Sequence, residues 1–362
     1  MSSSPEPSVR RTRVALLAGL AVVVLAAVAA LGAWSVLKDR AEAGQVIRGG
    51  LTDVSGRSRP VLLPLGQVDV TVSEPVESVP EGASVDAPRA PWGGSFVGVS
   101  WETGYMGGFP TWATVPLGMA PVQPHVHLVV GGHRYPVPGA SGGDIVGRRK
   151  ETIHGEGKAW IAVDGEPKQP VIEIEYDGVT QRVDIATGRR ESGRAAPLYS
   201  LDRQGAHFRT CPAPRISGLG GVLSVDAKCG VATPLRLPYV SGLGWAKPGR
   251  EWAVINASVS LPSDGEWRAA AGSGPAADYD LEPVSTTFTL DGRAPRPTPE
   301  LKDAAFDATR GTGSVVFDVP VNGTGTLRIM QRARAELDDV NGARPPQSDA
   351  SIILDRAMTL AP

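Results

Sequence analysis

His125 and His127, two residues apart in "HVHLVV", are the first side chains in this sequence whose type and spacing could do chemistry. On an extended strand alternate side chains share a face, so both imidazoles could ligate one Zn or Cu ion, with His133 or His154 completing the set. Neither of those two stands close enough in sequence to be forced into such a site. A half-exposed strand carrying two tolerated polar residues explains the pair better, and no metal is expected. The acidic runs "DYDLE" and "ELDDVNG" gather carboxylates, but calcium wants six to eight spaced oxygens and neither run matches its loop. They read as solvated turns. No His-Glu-x-x-His and no phosphate-cradling loop occurs. The expectation is a protein without cofactor and without catalytic residues.

Two other groups of residues bear on function. Cys211 and Cys229 are the only cysteines. After an export signal an even count favours one disulfide, which in the chain-entropy model would stabilise by ~3 kcal/mol. Trp92, Trp101, Tyr105 and Trp112 crowd the glycine-rich stretch "APWGGSFVGVSWETGYMGGFPTWATVP". Exposed on a loop they would make a carbohydrate or protein contact surface; packing under that loop is the alternative.

Several elements must carry these residues. "VALLAGLAVVVLAAVAALGAWSVL", 14–37, is uncharged over the ~20 residues that cross a bilayer core. Arg10, Arg11 and Arg13 precede it, so the positive-inside rule leaves a tail, 1–13, in the cytoplasm and everything after the run outside. Its apolar core exceeds the ~7–15 residues of a cleaved signal peptide. The expectation is a retained transmembrane helix followed by a polar stalk over 38–60. The 362 residues have a net charge of -2, which gives no basic face for nucleic acid. Gly 44 and Pro 32 suit many short strands joined by turns. Arginine far outnumbers lysine and alanine, glycine, proline and valine abound, the codon bias of a GC-rich bacterium such as an actinobacterium.

Alternation in "GQVDVTVSE", at Val68, Val70 and Val72, starts the strand signals. Two domains are expected, 61–204 and 205–362, because the later half repeats the earlier. "GVLSVDAK" answers "GQVDVTVS", and "GREWAVINASVS" answers "GGSFVGVSWET". "STTFTLDGRAPRP" answers "HVHLVVGGHRYPVP", and "GSVVFDVPVNGTGTLRIMQ" answers "KAWIAVDGEPKQPVIEIEY". Phe96 to Trp252 and Val163 to Val319 are the same distance apart. Phe96, Val97, Val99, Trp252, Val254, Phe317 and Val319 are expected to point into the two cores, with Phe96 and Trp252 at their centres.

The stretches "PGREWAVINASVSLPS", "FTLDGR" and "GSVVFDVPVNGTGTLRI" resemble the telokin-like, immunoglobulin-type extracellular domains of Gram-positive membrane-anchored surface proteins. That resemblance implies two tandem antiparallel β-sandwiches over roughly 66–190 and 220–335, and it brings no catalytic residues. The functional expectation is a non-enzymatic binding or scaffold protein of the cell envelope, anchored in the membrane and facing an envelope protein partner. An accessory or sensor subunit of a transport or secretion complex is the second reading.

Overall fold

The computed structural model describes residues 40–48, 53–64, 66–80, 88–104, 124–137, 155–165, 167–201, 208–269, 274–297, 310–342 and 344–360. The chain is mainly β, with several antiparallel sheets and one short 3-10 helix among the described residues. The apolar run 14–37 lies outside them. No helix among the described residues is long and apolar enough to cross a membrane.

The first half holds β1 (Val46–Arg48), β2 (Gly56–Leu63), β3 (Gly66–Ser73), β4 (Ser95–Gly104) and β5 (His125–Val130). It continues with β6 (His133–Pro136), β7 (Gly155–Val163), β8 (Val171–Tyr176), β9 (Val179–Asp184) and β10 (Arg190–Glu191). One sheet runs β1-β7-β4-β3-β2 and the other β10-β9-β8-β5-β6. Strand alternation puts Val68, Val70, Val72, Val97, Val99 and Ile161 on the inner face of the first. Val126, Leu128, Ile172 and Ile174 meet them from the second, in one apolar cluster. The positive φ of Asp177 and Gly178 closes the β8–β9 hairpin without strain on its twist.

Two corrections follow from this half. The segment expected as a stalk, 38–60, is largely folded: β1 pairs with β7 and β2 with β3. A three-residue strand such as β1 has too few alternations to show in sequence, and the exposed first half of β2 hides its pattern. Phe96 is fully buried, but on the opposite face from Val97 and Val99. There it packs with Ala41, Ile47, Val79, Ala90 and Trp160 under the N-terminal segment. Both faces of this sheet are covered, so burial alone did not say which face was the centre.

The second half holds β11 (Phe208–Thr210), β12 (Arg215–Ser217), β13 (Val222–Ser224), β14 (Lys228–Ala232), β15 (Leu235–Leu237), β16 (Tyr239–Val240) and β17 (Gly244–Trp245). Then come β18 (Arg250–Ser260), β19 (Asp264–Arg268), β20 (Ala276–Leu290), β21 (Arg310–Pro320), β22 (Gly325–Asn341) and β23 (Asp349–Leu360). One sheet places β18 between β14 with β15 on one side and β21 on the other, with β11 outside β14. The other runs β12-β23-β22-β20-β19-β13. "GVLSVDAK" does not take the place of β3, because β13 joins the second sheet beside β19 and β14 lies beside β18 instead. The pairing Phe96↔Ala162 of β4 and β7 reappears as Trp252↔Asp318 of β18 and β21, both members advanced by 156 residues (96 to 252, 162 to 318). Val97↔Ile161 likewise becomes Ala253↔Phe317. Trp252 and Val254, like Phe96, lie on the outer face, with Leu237, Val240, Ala246 and Val316. Phe317 and Val319 point inward as expected.

The inner apolar cluster of this half is cut in two by a polar layer. Along β22 the inward positions read Leu327, Ile329, Gln331, Ala333, and along β23 Ile352, Leu354, Arg356. Arg356 is 3% exposed and donates to Gln331 Oε1 at 2.7 Å and to Ala227 O at 3.0 Å. Burial lowers its pKa.

The two halves meet through the β16–β17 hairpin. Tyr239 and Trp245 leave their own half and complete the apolar cluster of the first. They stand edge-to-face against Tyr176, at 5.6 and 6.4 Å between ring centroids, and against each other at 5.2 Å. The Trp245 indole N–H donates to Tyr176 O at 3.1 Å. On the hairpin's other side Val240 and Ala246 pack on Trp252, whose indole N–H donates to Gly244 O at 2.9 Å. One hairpin therefore serves two clusters.

Trp245→Ala should cost ~3–5 kcal/mol, the range for a buried Trp, and should uncouple the halves. Calorimetry of the intact chain is expected to give one cooperative transition, split in two by this substitution. Cys211 and Cys229 form the expected disulfide, with a sequence separation of 18. Replacing both by serine should lower stability to urea by ~3 kcal/mol.

Candidate functional site

The outer face of the β10-β9-β8-β5-β6 sheet carries the densest set of charged side chains in the first half. Alternation in "VIEIEYDGVTQRVD" turns Ile172 and Ile174 inward and Glu173 and Glu175 outward. Cross-strand register then lines up His127, Glu173, Arg182 and Glu191 in one row and His125, Glu175 and Thr180 in the next. Arg134 reaches in from β6. A depression of about 570 Å³ opens among Arg134, Glu173, Glu175, Thr180, Arg182 and Glu191.

Glu173 is its floor. Its side chain is 5% exposed, and two guanidiniums hold it. Arg134 Nε lies 3.2 Å from Oε1, while Arg182 Nε and Nη2 donate to Oε2 at 3.3 and 3.2 Å. A carboxylate removed from water needs such pairing, because its desolvation alone costs several kcal/mol. Arg134 also approaches Glu175 at 3.7 Å. The outer parts of both arginines, with Glu175 and Glu191, remain open to solvent. Such a surface can hold a charged or hydrogen-bonding group in both polarities. Its lining combines carboxylates, guanidiniums and the Thr180 hydroxyl, which stands opposite Glu175.

His125 and His127 do share this face, as their spacing predicts. The carboxylates opposite them are Glu175 and Glu173, already engaged by arginines. Among the described residues no group of three or more His, Cys, Asp or Glu could hold a metal ion. His133 follows the Gly131–Gly132 turn at the other end of β5, and His154 lies outside the described residues. Burial, then the charge of Arg134, lowers the His127 pKa below 6.5, so its ring is neutral at neutral pH. Its Nδ1 is buried with no hydrogen-bond partner.

Of the four aromatic residues expected at a contact surface, Trp92 and Trp101 lie among the described residues. Trp101 is 7% exposed and lies in the inner cluster, flat across Gly157, its cross-strand partner. A Cβ at Gly157 would stand 2.2 Å from that ring. Trp92 is exposed, and Tyr105 and Trp112 lie outside the described residues. Reading strand alternation through to Trp101 puts it on the side of Val97 and Val99, a signal the crowding of aromatics obscured.

Sequence reasoning also missed Arg134, Glu173 and Arg182. Glu-x-Glu on an apolar strand, facing an arginine across an Asp-Gly hairpin, was the signal available for two of them.

Removing both guanidiniums, Arg134→Ala with Arg182→Ala, should cost ~3–5 kcal/mol by urea denaturation, because Glu173 is left charged and unpaired. Adding Glu173→Gln should recover most of that loss. For His127 the folded pKa is the lower one, so the unfolded chain takes up a proton first as pH falls. Its contribution is whole above 6.5 and is lost on acidification through the folded pKa. Stability should drop less between pH 7 and about 5 in His127→Gln than in the unaltered chain.

No family model matches the chain and no curated protein is similar to it, so its reading rests on these residues alone.

Proposed function

We propose that this chain is a non-enzymatic binding or scaffold protein of the bacterial envelope. Residues 14–37 would span the membrane with the tail 1–13 in the cytoplasm, and two tandem immunoglobulin-like sandwiches would stand outside. The observation that carries the binding role is the charged depression around Glu173, an open face with paired acid and base groups. The disulfide supports an oxidising compartment.

Strand neighbours support the immunoglobulin-like reading. In that sandwich strand B lies beside E, and C beside F beside G, in separate sheets. Here β4 lies beside β7, and β5 beside β8 beside β9; β18 lies beside β21, and β20 beside β22 beside β23. β6 lies beyond β5, where a C′ strand belongs. The D position beside E is filled in the first half by β1, which comes from the N-terminus.

Two measurements test the proposal. The full chain should stay with the membrane pellet through an alkaline carbonate wash, and protease outside the cell should remove its C-terminal region. Release into the wash would end the anchored reading. Capture of the chain from its native membrane should retain a protein partner. Glu175→Lys with Glu191→Lys, which leaves Glu173 and its two arginines in place, should release that partner. Undiminished retention would remove the depression from the binding surface.

A further inference from the structure

We infer that the Trp92 end of the first half sits in the lipid headgroup layer, with the Trp92 indole and the Arg40 guanidinium as its lipid contacts. This rests on the proposed membrane span of residues 14–37.

The argument is one of reach. The apolar run ends at Leu37 and the first described residue is Arg40. Three residue steps extend to at most ~11 Å. There is no slack after that. Arg40 forms a bridge with Arg89, its Nη1 donates to Ala90 O at 2.9 Å, and Ala41 N donates to Arg89 O at 2.8 Å. The first described residues are therefore tied to the loop that leads into β4. The Arg40 guanidinium lies 3.7 Å from the centre of the Trp92 ring. A headgroup layer is ~5–8 Å deep on each side of the hydrocarbon. The tether is short enough for a ring stacked on Arg40 to rest in that layer.

Orientation agrees. β4 starts at this end with Ser95 and finishes at Gly104, and β3 returns from Gln67 beside Gly104. β7 runs back to Val163 beside Ser95, so β8 sets out from the Trp92 end and carries Tyr176 to the far one. Trp245 meets Tyr176 there. The second half thus lies at the end remote from the membrane, and Trp92 points the other way.

The chemistry fits lipid rather than an acidic partner. Trp92 is 68% exposed, the most exposed of the large apolar side chains, and a Trp stacked with an Arg suits the boundary of apolar and wet. Arg40 and Arg89 are offset by the exposed Glu42 and Glu77 nearby. No strong field draws this end to anionic lipid. Partition of the indole holds it, so zwitterionic lipid suffices.

The test uses the full chain reconstituted in phosphatidylcholine vesicles. Arg89→Cys, labelled with a small fluorophore, reports on the Trp92 end; Val284→Cys, labelled alike, reports on the second half. The native cysteines are joined and do not react. Nitroxides on the lipid headgroups should quench the label at 89 and leave that at 284 unchanged, and Trp92→Ser should weaken the quenching at 89. A chain that floats with the vesicles but shows no quenching at 89 overturns this inference and leaves the anchor standing. A chain that does not float with them overturns the anchored reading and this inference with it.

Discussion

The contact on which the rest of the molecule depends is the insertion of Tyr239 and Trp245 among the aromatic side chains at the end of β8. Sheets that face each other need their open ends closed, since water there would reach Ile174 and Tyr176. Among the described residues it is a hairpin of the second half that covers that end, and the same hairpin lies on Trp252. Burial raises the pKa of Tyr176 and pushes that of Tyr239 up to about 12, so both phenols stay neutral across the physiological range. The join is thus apolar in its rings, while the indole N–H groups of Trp245 and Trp252 are satisfied by backbone carbonyls.

Edges are handled by the same economy. β2 would present an open row of backbone groups, a template for unwanted pairing. Side chains of the opposite sheet and of the 3-10 helix after it (Gly193–Ser200) cover it instead. Gln181 donates to Leu62 O at 2.8 Å, Tyr199 Oη accepts from Leu62 N at 3.0 Å, and Arg190 donates to Pro60 O at 3.0 Å. Within the sheets two glycines lie under indole rings, Gly98 under Trp160 and Gly157 under Trp101. Each gives up its own side chain so that a cross-strand Trp can lie flat. One ring lies on the inner face and the other on the outer, which is how a single sheet supports two apolar layers.

Much of this was legible in the residues. Val68, Val70 and Val72 alternate and do face inward, and the two cysteines do pair; Asp177-Gly178 and Asp291-Gly292, pairs of the kind tight hairpins favour, turn with positive φ. What alternation cannot tell is which face is the centre when both are covered, and Phe96 and Trp252 fell on the other side for that reason. β1 has three residues and owes its existence to β7, not to local preference. The charged floor at Glu173 depends on register between four strands, and pairing across a sheet is non-local information. The hairpin at "SGLGW" is a glycine turn, with Gly242 and Gly244 at positive φ. Its importance comes only from what lies on either side of it.

The shared hairpin also fixes an order of events. A chain is made from its N-terminus, and the strands of the first half are complete by Glu191. Its apolar cluster still lacks Tyr239 and Trp245 at that moment. Until those residues emerge, Tyr176 lacks the two aromatic rings that pack against it, apolar surface available to chaperones and to other unfinished copies. Folding of the first half is therefore completed by synthesis of the second, and a chain cut short before Trp245 would carry nearly all of one domain's sequence without its closed core.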